Sequence, residues 1–196
     1  MTRIGVIITS TRQARFAERP AAWVTARLRR EGVEVDVIDM RDHDLPSFDG
    51  PPPLYTPRVY ATPEIAAFAE RIDAADGFVI LTAEYNHGYT AVFKNAVDHT
   101  SLEWDRKPMS YVGWGGVGGA RAIEQLRTVA VELGAAPLRN AVHILPDILV
   151  PAMKAPSYDP ALLAPLDGKL NELVSELLWW TEALRAGRHQ ITAGAA

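Results

Sequence analysis

The chain has 196 residues, which is the length of one ordinary domain rather than two. Apolar residues make up 48% of it and charged residues 22%, so a mostly disordered, collagenous or fibrous chain is excluded. It has no cysteines, which excludes disulfide scaffolds, thiolate metal sites and cysteine nucleophiles, and its net charge of -4 gives no reason to expect a nucleic-acid partner.

The positions of the apolar residues and of the histidines indicate whether the chain enters a membrane, is secreted or binds a metal ion. No stretch approaches the roughly 18 consecutive apolar residues that a membrane span requires. Residues 1–8 hold too short an apolar run for a signal peptide. The five histidines are scattered, with no pair three or four residues apart, so a helical metal site is not expected. We therefore expect a cytoplasmic protein with no metal ion and no membrane partner.

Segments rich in valine and isoleucine alternate with segments of helical period, which is the pattern of a parallel α/β sheet. The predicted strands are residues 4–9, 33–40, 78–81, 109–114 and 141–145. The predicted helices are residues 21–30, one that begins at 63, residues 91–98, one that ends before Gly134, and about 166–186, stopping at Gly187. These units predict a doubly wound sheet in a single domain over residues 1–196, with a C-terminal helix within about 160–187.

Capping signals and prolines divide the predicted elements from the loops. Residues 41–62 are rich in proline and predict a long loop rather than a second domain. The sequence Thr62-Pro63-Glu64 predicts a helix start, because it offers a capping hydroxyl, proline at the first position and an acid in the first turn. Thr90 is expected to cap the helix at 91–98 in the same way.

The loop after the first predicted strand gathers hydroxyl and guanidinium groups just ahead of a helix. Residues 9–15 read Thr-Ser-Thr-Arg-Gln-Ala-Arg, and residues 12–30 hold six arginines against one glutamate. Hydroxyls, free backbone N–H groups, a helix N-terminus and guanidinium groups are what a phosphate requires. Neither a G-x-G-x-x-G fingerprint nor a P-loop is present. The loop therefore predicts a phosphate site, with an ordinary solvated basic loop as the alternative.

The loop after the third predicted strand combines aromatic, amide and imidazole groups. Residues 83–89 read Ala-Glu-Tyr-Asn-His-Gly-Tyr. Such a loop can line a planar heterocycle, because tyrosine rings offer flat surfaces and amides satisfy the polar atoms of the ring. The alternative is an ordinary turn in which Gly88 supplies a positive φ. For His87 taken alone, a structural or solvent-facing role is the simpler interpretation.

The loop after the fourth predicted strand holds five glycines within residues 113–119. Glycines permit close backbone approach, so their N–H groups can point at the edge of an electron-rich ring. Trp114 within this segment predicts a wall of the site or a subunit contact, and a flexible turn is the competing interpretation.

Taken in this order, the three loops resemble those of the NADPH-dependent FMN reductase family of flavodoxin-like proteins, over about residues 3–150. The family's loops read approximately G-S-T-R-P-G-R and P-E-Y-N-H-G-Y, against residues 9–15 and 83–89 here. Residues 93–98 are similar to the family's L-K-N-A-I-D helix, and residues 115–121 to its Y-G-G-V-x-G-G-x-R turn, with one residue fewer. Thr9 and Ala83 stand where the family has glycine and proline.

The resemblance implies a flavodoxin-like three-layer sandwich, with a five-stranded parallel sheet in the order 2-1-3-4-5 and helices on both faces. It implies FMN as the cofactor, NADPH or NADH as the electron donor, and a small planar acceptor such as a quinone or free flavin. It also implies a homodimer or homotetramer. Trp104, Trp179 and Trp180 are candidate contacts, and plain core packing explains them equally well.

The resemblance assigns the cofactor contacts to particular residues. Those expected at the phosphate are Ser10, Thr11, Arg12 and Arg15. Those expected at the isoalloxazine ring are Ala83, Glu84, Tyr85, Asn86, Trp114, Gly115 and Gly116. No catalytic side chain is required, because the flavin carries the chemistry. Tyr85, His87 and Trp114 are candidates for stacking or polar contact with the substrate, and His87 is a candidate proton donor to a reduced quinone.

Two other functions remain open at this point. One is a flavodoxin-like module that carries electrons, or supplies flavin to a partner monooxygenase, without substrate turnover of its own. The other is a nucleotide-binding protein with no redox role. Bound flavin that NADPH or NADH bleaches would favour the reductase over both.

Overall fold

Five parallel strands form one sheet in the order β2-β1-β3-β4-β5 in the computed structural model, which describes residues 1–194. The strands are β1 Arg3–Ile8, β2 Glu34–Asp39, β3 Gly77–Ala83, β4 Pro108–Trp114 and β5 Ala136–Ile144. The predicted fold class and strand order are confirmed. The single domain over residues 1–196 stays a prediction, and residues 195 and 196 lie outside the described part of the chain.

Helices cover both faces of this sheet. They are α1 Glu18–Arg29, α2 Pro63–Ala74, α3 Ala91–Asp98, α4 Ala120–Glu132, α5 Pro146–Lys154 and α6 Asp167–Gly194. Short 3₁₀ turns lie at Met40–Asp42, Pro160–Leu162 and Ala164–Leu166. None of the helices within residues 1–194 combines the length and the apolar character needed to cross a bilayer.

Each face of the sheet packs its own apolar core, because side chains along a strand alternate between the two faces. On one face, Val6, Val79 and Val112 pack against α1 and α6. On the other face, Ile7, Ile80 and Tyr111 pack against α2, α3 and α4. Trp104 is fully buried in this second core, beside Phe78 with 4.9 Å between ring centroids. It is therefore a core residue, so core packing is confirmed for Trp104 and a subunit contact there is wrong.

The helix start signals are partly confirmed. Thr62 accepts a hydrogen bond from the Ile65 N–H at 3.4 Å, and Pro63 is the first residue of α2. Thr90 occupies the N-cap position of α3, but its hydroxyl makes no capping bond and donates to the Thr9 carbonyl oxygen at 3.0 Å instead. The predicted cap position at Thr90 is confirmed, but its hydroxyl does not cap the helix, because a tertiary partner takes it.

The structure has one helix that the sequence does not predict, and two elements extend well beyond their predicted bounds. The sequence does not predict α5, although Pro146 and Asp147 in its first turn repeat the signal at the start of α2. Strand β5 begins at Ala136 rather than at 141. Helix α6 continues through Gly187, and beyond it Arg188 donates to the Arg106 carbonyl oxygen at 2.7 Å. A glycine ends a helix when it adopts a left-handed φ, and Gly187 does not.

The carboxyl ends of parallel strands lie at one edge of a sheet, and the register fixes which loops meet there. Ile8 pairs with Asp39 of β2 and with Leu81 of β3, while Ala83 pairs with Trp114. The loops that follow β1, β2, β3 and β4 therefore start side by side.

Candidate functional site

The loop after β1 is anchored to the sheet by Thr9. Its N–H and its hydroxyl both donate to the Leu81 carbonyl oxygen at 3.1 Å, and its own carbonyl accepts from the Thr90 hydroxyl. The Thr9 side chain is fully buried. The threonine that replaces the family's glycine thus points into the protein and leaves the outer face of the loop open.

Beyond this anchor, the loop after β1 meets the loop after β3. The Ser10 hydroxyl lies 2.7 Å from the Tyr85 hydroxyl, and the Arg12 guanidinium lies 5.6 Å from the centroid of the Tyr85 ring. Thr11 and Arg12 are exposed. The Arg12 guanidinium has no carboxylate partner within the part of the chain that is described. Three of the predicted phosphate residues are therefore together, with one guanidinium open to a ligand.

Arg15, the fourth predicted phosphate residue, is held on the protein side. Both of its Nη atoms donate to the Asp39 carboxylate, and its Nε donates to Glu18 at 2.8 Å. Its Nη1 also reaches the Ser10 carbonyl oxygen at 2.5 Å. Burial acts to raise the pKa of Asp39, but the hydrogen bonds from Arg15 and from the Arg41 N–H outweigh it and hold the pKa below its usual value. The geometry turns Arg15 toward Asp39 and away from the open face.

Arg41 is a site residue that the sequence reasoning missed. It lies in the 3₁₀ turn after β2, and its guanidinium donates to three successive carbonyl oxygens of the neighbouring loop. Those oxygens belong to Thr11 at 3.4 Å, Arg12, and Gln13 at 3.0 Å. The sequence does indicate its position, because β2 runs parallel to β1 and the loop after β2 therefore begins at the same edge of the sheet.

The backbone of this loop fits a phosphate monoester such as that of FMN. The carbonyl oxygens from Ser10 to Gln13 all face the guanidinium groups of Arg15 and Arg41. The N–H groups of residues 10–15 donate to no acceptor in the described part of the chain. Because the C=O of one residue and the N–H of the next point in opposite directions, the N–H groups of residues 11–14 face away from the two arginines. A run of N–H groups on one side of a loop can bind an anion.

The loop after β3 folds into a two-residue hairpin turn. Tyr85 and Gly88 exchange backbone hydrogen bonds of 2.9 and 3.0 Å. Asn86 and His87 between them have φ of 49° and 69°. The alternative interpretation, in which Gly88 supplies a positive φ, is wrong, because the two preceding residues adopt it. Left-handed conformations at residues other than glycine cost of order 1 kcal/mol each, so contacts outside the turn must hold it.

The first turns of α4 supply those contacts. The Glu84 carboxylate, with its side chain only 5% exposed, accepts from the Arg121 N–H at 3.1 Å and from its Nε at 2.6 Å. Arg121 Nη1 lies 3.0 Å from His87 Nε2, and Gln125 donates to the His87 carbonyl at 2.9 Å. Arginine has only donors, so His87 Nε2 accepts and the ring proton lies on Nδ1. The Glu84 side chain thus faces α4.

The glycine-rich turn after β4 lies against this loop. The Glu84 N–H donates to the Trp114 carbonyl oxygen at 3.0 Å, and a Cβ added to Gly115 would lie 3.2 Å from the Glu84 Cβ. A Cβ at Gly116 would meet no atom within 4 Å. The turn therefore packs closely on its Gly115 side and leaves open space beside Gly116, as the edge of a flat ring requires.

Trp114 does not offer a stacking surface. Its side chain is buried and packs edge-on against Phe16, with 5.6 Å between ring centroids. The candidate role of its ring in substrate stacking is therefore wrong, since the ring supports the segment that leads into α1.

Comparisons with known proteins find relatives in sequence. The family model for NADPH-dependent FMN reductase matches residues 2–147. An NAD(P)H-dependent FMN reductase of Schizosaccharomyces pombe is 35% identical over 161 residues, which cover 80% of each chain. A 2-hydroxy-1,4-benzoquinone reductase of Burkholderia sp is 29% identical over 150 residues, covering 76% of this chain and 74% of that one.

A solved structure extends the likeness to the fold. FerB, a flavoenzyme NAD(P)H:(acceptor) oxidoreductase from Paracoccus denitrificans, matches with a TM-score of 0.66 at 20% identity. The match covers 93% of this chain and 98% of that chain, so the similarity includes the C-terminal part as well as the sheet.

Proposed function

Because the chain belongs to the NADPH-dependent FMN reductase family, we propose that it is an NAD(P)H-dependent oxidoreductase with FMN as its cofactor. When bound, FMN supplies the redox chemistry, accepting hydride from the nicotinamide and passing electrons to a second planar molecule. The observation that carries the proposal is the loop after β1, where backbone N–H groups, the Ser10 hydroxyl and the Arg12 guanidinium lie together, and Arg12 has no carboxylate partner among the described residues.

In this proposal the chain binds and orients the flavin rather than reacting with it. The hydroxyls of Ser10 and Thr11 and the guanidinium of Arg12 hold the phosphate, together with the loop N–H groups. Two backbone segments lie at the edge of the ring. They are residues 83–86 and residues 114–116. Arg15 shapes the phosphate loop from behind, which revises the role that the resemblance implied for it.

The substrate side of the site rests on the hairpin turn after β3. The Tyr85 hydroxyl is hydrogen-bonded to Ser10, and the Arg12 guanidinium lies over the Tyr85 ring. The ring therefore borders both the loop after β1 and the open space at the strand ends. His87 is tied to Arg121 and Gln125. We assign His87 to holding the turn in shape and give it no proton transfer.

The acceptor that we propose is a quinone, a free flavin or a molecule of similar shape. The relative from Burkholderia sp carries a quinone reductase name, which supports a quinone as the first acceptor to assay. An electron-carrying module is the alternative, and reduction of the bound flavin by NADPH or NADH distinguishes the enzyme from the carrier.

The test is spectroscopic. The purified protein, after incubation with FMN and gel filtration, is expected to be yellow and to release FMN on denaturation. Anaerobic NADPH or NADH should bleach the flavin, and added benzoquinone should restore the colour. A protein that retains no flavin contradicts the proposal, whereas flavin that only a partner protein can reduce identifies the carrier.

We further propose a homodimer or homotetramer acting in the cytoplasm. Trp179 is 65% exposed on α6 and packs edge-on against Trp180, which is 36% exposed, at 5.3 Å between ring centroids. Two large aromatic side chains on one exposed face support a subunit contact there. Light scattering measures the mass directly, and a monomer would contradict this part of the proposal.

A further inference from the structure

Two arginines stand behind the loop after β1 and contact its carbonyl side. Arg15 is buried, with only 9% of the residue exposed, which is unusual for an arginine. Arg41 approaches from the 3₁₀ turn after β2. Between them they donate hydrogen bonds to the carbonyl oxygens of four consecutive residues, 10 to 13.

One carboxylate fixes both arginines. Asp39, the last residue of β2, accepts from both Nη atoms of Arg15 and also accepts from the Arg41 N–H at 3.0 Å. Glu18 in the first turn of α1 forms ion pairs with both arginines, at 2.8 Å to Arg15 Nε and 3.3 Å to Arg41 Nη1. Asp39 and Glu18 thus hold the Arg15 guanidinium, while Glu18 holds the Arg41 guanidinium and Asp39 holds the Arg41 backbone.

The opposite side of the loop after β1 presents its backbone N–H groups. A flexible loop exposes carbonyl oxygens and N–H groups in many mixtures, and a carbonyl oxygen that turns toward an anion repels it. A loop whose carbonyls are already bonded behind it presents N–H groups only, so less ordering is needed when the anion binds.

We propose that Arg41, with Arg15, is a positioning residue that shapes the loop after β1 for a phosphate group without touching that group. The inference rests on the proposed FMN site and deepens it. It predicts that this chain selects FMN over riboflavin partly through two side chains that contact neither molecule.

The test compares two flavins that differ only in the phosphate. In Arg41→Ala, FMN should bind roughly ten- to a hundredfold more weakly, while riboflavin binds as it does to the wild type. Arg29→Ala is the matched control, because Arg29 is an exposed arginine near the end of α1 with the same charge. It should leave both affinities unchanged. Equal loss for both flavins in Arg41→Ala would indicate general damage and overturn the proposal.

A second measurement separates positioning from direct contact. In the flavin-free protein, trypsin should cleave after Arg12 several times faster in Arg41→Ala than in the wild type, because the loop has lost its tie. If FMN affinity falls while cleavage does not change, Arg41 contacts the phosphate itself and the proposal fails. Should the wild type bind neither flavin, the proposed function fails, and the cleavage rate still decides whether Arg41 orders the loop.

Discussion

Arg12 and Arg15 lie three residues apart in one loop and have opposite surroundings. Arg15 is bonded to Asp39, to Glu18 and to a loop carbonyl, so all of its donor groups face the protein. Arg12 lies over the ring of Tyr85, and no acid pairs with it among residues 1–194. The partner groups, rather than the residue type, decide which guanidinium is available to a ligand.

Removing the Arg12 guanidinium should therefore weaken the contact with the phosphate. We expect Arg12→Ala to lower FMN affinity by about 1.5–3 kcal/mol, the usual contribution of a hydrogen bond to a charged group. Riboflavin, which has no phosphate, should bind to the variant and the wild type alike. Fluorescence titration with both flavins measures this, and unchanged FMN affinity would show that the phosphate lies elsewhere.

At the scale of elements, glycines that look alike in the sequence act differently. Gly134 has φ of 69° and ends α4, as the sequence predicts. Gly187 lies within α6 with a helical backbone, and an added Cβ there would meet no atom within 4 Å. At Gly134 the same Cβ would lie 2.6 Å from the Asp105 Oδ1.

This contrast gives a stability prediction with opposite signs. We expect Gly187→Ala to raise the free energy of unfolding by about 0.5–1 kcal/mol, because alanine loses less backbone entropy in a helix. Gly134→Ala should lower it by at least ~1 kcal/mol through strain and crowding. Urea denaturation of both variants measures the two changes. A helix that ended at Gly187 would show no gain from the first substitution.

At the scale of the whole molecule, a buried lysine joins two elements at the amino-terminal edge of the sheet. Lys107, just before β4, is 5% exposed and donates to the carbonyl oxygens of Ile72 and Asp73 at 2.9 and 2.7 Å. Both oxygens belong to the last turn of α2. Burial lowers the pKa of Lys107 to about 8 from its usual 10.5.

The lowered pKa predicts that global stability depends on pH. Between pH 8 and 10.5 the unfolded chain keeps a proton on Lys107 that the folded protein has released, so the free energy of unfolding should rise with pH. Across that window the rise is on the order of 3 kcal/mol. Denaturation of wild type and Lys107→Met at pH 8 and pH 10 isolates this effect. Parallel pH dependence in the two proteins would contradict it.

The sequence by itself determined the fold and predicted where the candidate site lies. Apolar runs and helical periods identified the five strands and most of the helices, because burial on a sheet face or a helix face dictates those periods. Topology then predicted the edge of the sheet at which the site lies, since parallel strands end at one edge. The three loop motifs together identified the family, and this was confirmed by the family match over residues 2–147.

Only the tertiary structure decided what individual side chains do at that edge. Arg15 faces inward because Asp39, distant in sequence, ends the neighbouring strand. Arg41 contacts the loop after β1 because it directly follows that same strand. The Thr90 hydroxyl donates to the Thr9 carbonyl oxygen instead of capping its own helix. Periodicity records which face of an element is buried, whereas hydrogen-bond partners depend on which elements become neighbours, and that is set only when the sheet assembles.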